Sequence, residues 1–320
     1  MPDFADFLDA KFDLDERSLA ADVRRDCFDA IAQRDSLRCL DIGTGTGAMA
    51  LRLLDACTGV RSVDVVALDC DERLLARART KLAAHLAQRG FDRLDGSDDD
   101  RFDAHHAHRR VGLRFACCDV GRFEPRAGER YDLVTAHAFM DLVPMRPLLA
   151  RIADWLAPGG LFYATLNYDG ETTLFPLYED EALESALLRR YDASMEERRV
   201  ADGQPTGGAR SGRRLHALLP EAGFDVVAWG SSDWNVVPRH GHLREGDAVV
   251  LSVLLEALKR ENDAHCDARR LEAWHRVRCT QLEAGRLGAI VHQIDVLAVR
   301  ASTPSTTADY KGSAGLTAFT

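Results

Sequence analysis

The sequence predicts an α/β protein, a mostly parallel sheet of seven strands flanked by helices. Three observations carry that expectation. Short apolar runs such as SVDVVALD, YDLVTAH and LFYATLN recur between segments of helical period, and strands that read as continuous apolar runs are buried on both faces. The first run, LRCLDIG, passes through a glycine-rich turn into AMALRLLDAC, the strand, loop and helix order of a ligand-binding βα unit. At 320 residues the chain can form one large α/β domain with insertions.

Taken in order, residues 1–35 form an N-terminal flank of one or two short helices, a lid for the main domain, with Phe4, Phe7, Leu8 and Phe12 near helical spacing. The main domain spans 36–300. After the first strand and its helix comes the strand SVDVVALD, and Asp71 then caps a helix that carries Leu74, Leu75, Ala78, Leu82 and Leu86 on one face. Residues 92–110, rich in aspartate and histidine and without periodicity, read as an exposed inserted loop. GLRFACCD is the third strand and YDLVTAH the fourth; Pro147 opens a helix that APGG ends, and LFYATLN is the fifth strand. Two insertions on the substrate side come next, at about 168–212 and 235–286. Between them lie the helix RLHALLPEAG and the strand FDVVAWGS, and AIVHQIDVLAVR supplies the seventh strand. The polar segment 301–320 reads as a disordered tail.

Composition narrows the function. Forty-one basic against 51 acidic residues leave a formal net charge of -10, which repels a phosphate backbone, so no nucleic-acid partner is expected. The N-terminus lacks a basic segment followed by an unbroken apolar one, and the longest apolar stretch, Ala248 to Leu258, is interrupted by Ser252 and Glu256. A cytoplasmic protein without membrane contact, monomeric or homodimeric, is expected. The eight cysteines form no C-x-x-C pair, and several fall in apolar runs where a thiol packs as a small hydrophobe. No metal site is expected: His105, His106 and His108 beside Asp98, Asp99 and Asp100 fit an exposed polar loop better than a ligand set.

LDIGTGTG, VVALD, CCDV, YDLV and LAPGG, in this order and each at a strand end, resemble the class I S-adenosylmethionine-dependent methyltransferases. The resemblance covers Leu37 to Asn167 and implies a Rossmann-like methyltransferase fold with S-adenosyl-L-methionine as cofactor. Gly43, Thr44, Gly45 and Gly47 form the loop whose backbone approaches the ligand and whose amides, at a helix N-terminus, suit the methionine carboxylate. Asp41 opposes a pyrophosphate but favours an ammonium and a sulfonium. The resemblance assigns Asp69 to the ribose hydroxyls and Asp119 to the adenine amino group, with Cys70 and Val120 beside the ring. His137, ending the fourth strand, is also a cofactor-side candidate. Gly43, Gly45 and Ala48 satisfy G-x-G-x-x-A as well, which leaves a nicotinamide enzyme as an alternative; a cofactor-binding protein without catalysis is another.

Methyl transfer requires an oriented nucleophile and, for a hydroxyl or ammonium acceptor, a proton acceptor. His292, His137 and Asp169 are the catalytic candidates. Asn167, Tyr168, Arg210, Arg213, Asp233, Trp234 and Gln293 are the substrate-binding candidates, the arginines pointing to an anionic small molecule. The N/D-P-P-Y/F/W motif of many nucleic-acid and protein amide N-methyltransferases is replaced by AHAFMDLV after the fourth strand, which favours a small-molecule acceptor.

Overall fold

The computed structural model describes residues 3–94 and 100–301. Three helices open the chain: α1 (Phe4–Ala10), α2 (Phe12–Ser18) and α3 (Ala21–Ala32). The alternating units are β1 (Ser36–Ile42), α4 (Ala48–Ala56), β2 (Ser62–Asp69) and α5 (Glu72–Gln88), the last capped by Asp71, which accepts from the Arg73 amide. Then come β3 (Asp92–Arg93), β4 (Arg101–His106), β5 (Arg109–Cys117), β6 (Tyr131–His137), a 3-10 turn over Met140–Leu142, and α6 (Met145–Trp155). The long strand β7 (Leu156–Phe175) leads to α7 (Glu181–Glu196), α8 (Ser211–Glu221), β8 (Phe224–Ser231) and β9 (Trp234–Val236). The helices α9 (Glu245–Asn262) and α10 (Ala268–Glu283) precede β10 (Gly288–Arg300).

Among the described residues the sheet has ten strands in the order β3-β4-β5-β2-β1-β6-β7-β10-β8, with β9 paired to β10. The expected seven are contiguous in it, from β5 to the β8 edge: β5, β2, β1, β6 and β7 run parallel, and β10 is antiparallel to both β7 and β8. The extra strands correct the expectation of a loop over 92–110. β3 and β4 extend the β5 edge antiparallel; Ala104 is buried and Phe102 packs against the sheet core, but charged neighbours on both sides of an edge strand hide the alternation. The segment 95–99, with Asp98 and Asp99, lies outside the described residues, as does the tail from 302.

Other boundaries also shift. The N-terminal flank has three helices where one or two are expected. The α6 helix starts at Met145, so Pro147 sits inside its first turn, where no amide is needed. The first eight residues of the expected 168–212 insertion continue β7, since β10 pairs with them as far as Phe175 opposite Gly288.

One apolar cluster packs α3, α4 and α5 on one face of the sheet, and a second packs α6 and α8 on the other. A third joins Leu14 of α2, Leu174 of β7, Val236 of β9 and Ala289 of β10 to α7, α9 and α10. It forms a helical cap on the extension of β7 and β10.

Candidate active site

The loop after β1 turns back through Gly43, Gly45 and Gly47, all with positive φ. At Gly43 the constraint is spatial too: a Cβ would lie 2.2 Å from the Phe139 ring. The Thr44 amide donates to the Leu68 carbonyl (3.0 Å) and the Gly45 amide to Asp69 Oδ2 (2.9 Å), so the loop is held against the end of β2. Behind it, fully buried Asp41 accepts from Thr44 Oγ1 (2.5 Å) and Thr135 Oγ1 (2.6 Å). Burial pushes its carboxyl up to about 6 despite these bonds. Asp41 therefore braces the loop through its hydroxyl partners, with no side-chain surface left for direct contact with a ligand.

A cleft of about 650 Å³ opens at the carboxyl ends of β1, β2 and β5. Of the expected cofactor residues, Gly43, Asp69, Cys70, Asp119 and Val120 line it; Asp41, Thr44, Gly45, Gly47 and His137 do not. Asp69 also accepts from the Asp71 amide (3.0 Å), and Asp119 Oδ1 from the Gly121 amide (2.7 Å). Each carboxylate keeps further lone pairs, Asp69 for a diol and Asp119 for an amino group. Phe139, Leu142, Val143 and Leu148 give the cleft an apolar wall, which fits a purine ring. The donors and acceptors present thus suit S-adenosylmethionine at its nucleoside end.

Phe139, residues between 142 and 148 and residues between 200 and 204 also line the cleft and are not foreseen from sequence. The first two come directly after His137 at a strand end, which is the available signal. The last belongs to an insertion whose placement no local pattern gives.

His137 sits apart, under α2. Its Nδ1 accepts from Thr165 Oγ1 (2.7 Å), and its Nε2 is 3.1 Å from Asp15 Oδ2. Asp15 also accepts from Lys11 Nζ (2.5 Å) and Trp234 Nε1 (3.0 Å). Burial is the main cause that lowers the imidazole to about 4; Asp15, whose own carboxyl is held at about 2 by Lys11 and His137, partly opposes it. A neutral ring with both nitrogens engaged has no free lone pair for a substrate. The same helices close over the glycine loop: Asp9 accepts from Thr46 Oγ1 (2.7 Å) and Lys81 Nζ (2.5 Å), and Leu8 packs on Gly45.

The other two catalytic candidates come together elsewhere. His292 Nδ1 is 2.8 Å from Asp233 Oδ1, and its Nε2 is 3.8 Å from Asp169 Oδ2. Asp169 is buried and bound by Arg213 Nε (2.8 Å) and the Arg213 amide (2.7 Å) at the start of α8. Arg213 is thus neutralised within the chain, and Arg210 is exposed. Tyr168 is buried, its hydroxyl donating to Asp192 (2.7 Å). Asn167 and Gln293 are buried on β7 and β10, each with its amide oxygen lacking a protein partner. Trp234 serves Asp15, not Asp233 beside it.

The cysteines divide. Cys27, Cys39 and Cys57 are buried as expected of core thiols, but Cys70 and Cys117 are exposed and Cys118, Cys266 and Cys279 half-buried. Among the described residues no group of three or more His, Cys, Asp and Glu is arranged to hold a metal ion, and no helix is long and apolar enough to cross a membrane.

Residues 40–162 match the family model described as a methyltransferase domain. Among solved structures, a candidate methyltransferase from Bacillus halodurans C-125 is 15% identical, covering 86% of this chain and 98% of its own, with a TM-score of 0.48. The YcgJ protein of Bacillus subtilis is 14% identical over 88% of this chain and 99% of its own, TM-score 0.47. An N-methyltransferase from Bradyrhizobium japonicum WM9, solved with S-adenosyl-L-homocysteine, is 13% identical over 82% and 78%, TM-score 0.38. No curated protein sequence gives a significant match.

Proposed function

We propose that this chain, which carries a class I S-adenosylmethionine-dependent methyltransferase domain, transfers the cofactor's methyl group to a small-molecule acceptor and releases S-adenosylhomocysteine. The observation that supports a small acceptor is the roof over the sheet's carboxyl end: α1 and α2 clamp the glycine loop and His137 from above, while the cap rises from the extension of β7 and β10. A base within a duplex or a folded protein segment would have to displace both. The net charge of -10 argues in the same direction.

The bound cofactor supplies a methyl group already activated by its sulfonium. The protein's part is to bind and orient: Asp69 and Asp119 hold the nucleoside end, Asp41 fixes the loop through Thr44, and Phe139 packs on Gly43. For a hydroxyl or ammonium acceptor, His292 beside Asp169 is the proton acceptor with an imidazole edge not tied to a short hydrogen bond, whereas His137 positions α2. The decisive experiment incubates the protein and S-adenosylmethionine with acceptors that present oxygen, nitrogen, sulfur or carbon nucleophiles and quantifies S-adenosylhomocysteine. None of the three proton-acceptor candidates lines the cleft, which favours a second reading, binding without turnover. Tight cofactor binding with no product from any acceptor class would favour that reading.

A further inference from the structure

Three thiols stand at the ring end of the cofactor cleft, and the proposed function gives them no role. The strands β2 and β5 are parallel neighbours with Asp69 opposite Cys117, and the Cys118 amide donates to the Asp69 carbonyl at 2.9 Å. Continued by one residue, that register sets Cys70 opposite Cys118. Neighbouring strands lie about 4.8 Å apart, inside the Cα separation of about 4.4–6.8 Å that a disulfide spans. Cys70 and Cys118 both line the cleft, between Asp69 and Asp119. The Cys117 thiol, also beside the end of β2, donates to the Cys70 carbonyl (3.7 Å) and faces Glu72 at the start of α5, and it does not line the cleft.

We propose that Cys70 and Cys118 form a thiol–disulfide exchange site whose oxidation closes the ring end of the cofactor cleft. The exposed Cys70 thiolate attacks a low-molecular-weight disulfide, forming a mixed disulfide and expelling one thiolate. The Cys118 thiolate then attacks the Cys70 sulfur and expels the second. In sum, one external disulfide is reduced to two thiols while the cysteine pair is oxidised to one disulfide. Burial and the carboxylates of Asp69 and Asp119 push the Cys70 thiol up, which lowers its thiolate fraction at neutral pH. The bridged sulfurs would stand between the two carboxylates assigned to the ribose and the adenine, so the effect on binding rests on that assignment; the disulfide itself does not.

The test treats the full chain with bis(hydroxyethyl) disulfide, maps disulfides in unreduced peptides by mass spectrometry, and titrates S-adenosylhomocysteine before and after. The expected result is a Cys70–Cys118 bond, at least a tenfold rise in Kd, reversal by dithiothreitol, and slower oxidation when the ligand is bound first. In Cys118→Ser the treatment should stop at a mixed disulfide on Cys70, and in Cys70→Ser it should leave Kd at the untreated variant's value. A Cys70–Cys117 bond, stable mixed disulfides without a bridge, or the expected bridge with unchanged Kd would each overturn the proposal. If the reduced protein fails to bind S-adenosylhomocysteine, the cofactor assignment fails instead, and the peptide map still decides whether the pair exchanges.

Discussion

Burial raises a carboxyl group and lowers an imidazole, and this protein does both near its sheet ends. Asp41 and Asp295 are each pushed up to about 6, chiefly by burial, so their contribution to stability is lost as pH rises from the ordinary carboxylate range through 6. His137 works the opposite way. Its folded value of about 4 lies below the ordinary 6.5, so between these values the folded state binds fewer protons and stability rises with pH. The contribution is fully present above 6.5 and lost as pH falls through 4, a span worth about 3 kcal/mol. Urea midpoints of the wild type and His137→Asn should therefore converge as pH falls from 7 to 4, the stability gap narrowing by up to that amount. A constant gap across the range would contradict the buried, neutral imidazole. At Asp69 the prediction concerns the ligand: Asp69→Ala should weaken S-adenosylhomocysteine about 10- to 100-fold, because charge-assisted hydrogen bonds contribute about 1.5–3 kcal/mol. An unchanged titration would remove Asp69 from the site. Asp69, Asp119 and Gly43 were legible in the sequence because each stands at a fixed offset from a strand end. The pairing of His137 with Asp15 was not, for the two lie 122 residues apart and nothing in KFDLDERS distinguishes Asp15 from the other acids of a solvated helix.

Elements whose apolar residues repeat with a clear period were legible, as the helices and the central strands show, and elements held by polar contacts were not. The hairpin of β3 and β4 rests on an edge where Arg101, Asp103, Arg110 and Asp64 interleave across strands, a pattern that reads as loop when the partner strand is unknown. The cap is similar. Its α10 helix enters the core through Arg278, which is fully buried and donates from Nε and Nη2 to Glu184 of α7 and from Nη1 to the Pro176 carbonyl (2.8 Å). Trp274 adds a hydrogen bond to the same carboxylate (2.8 Å). Removing the cation would leave the Glu184 side chain buried without its ion-pair partner, at a cost of about 3–5 kcal/mol. Arg278→Ala should accordingly unfold at a lower urea concentration by that free energy. An exposed ion pair, such as Lys259 with Glu272 between α9 and α10, should change stability far less, because water screens it. Equal losses at the two sites would show that α10 is not anchored through its arginine.

At the scale of the whole molecule, the question is whether the cap and the sheet are one cooperative unit, and the strand lengths argue that they are. β7 runs 20 residues and β10 runs 13, each long enough to reach between the sheet core and the cap core, so neither core can melt without exposing part of the same two strands. The N-terminal helices add a second tie: Leu14 of α2 belongs to the cap cluster, Val23 of α3 to the sheet cluster, and the Ala20 amide between them donates to buried Asp295 of β10 (2.9 Å). Calorimetry should therefore show a single transition, with amides of α10 and of β1 exchanging hydrogen through the same global opening. The site proposed for S-adenosylhomocysteine is at the sheet end, yet in a single unit its occupation must stabilise the cap equally. At one hundred times its Kd it should add about 2.7 kcal/mol to both, which for a chain of this size moves the midpoint by a few degrees. NAD or NADP at the same concentration should move neither. Two transitions, with only one responding to S-adenosylhomocysteine, would show that the cap folds on its own and that the continuous strands do not transmit stability between the two cores. A response to NAD or NADP in its place would make the glycine loop a dinucleotide site.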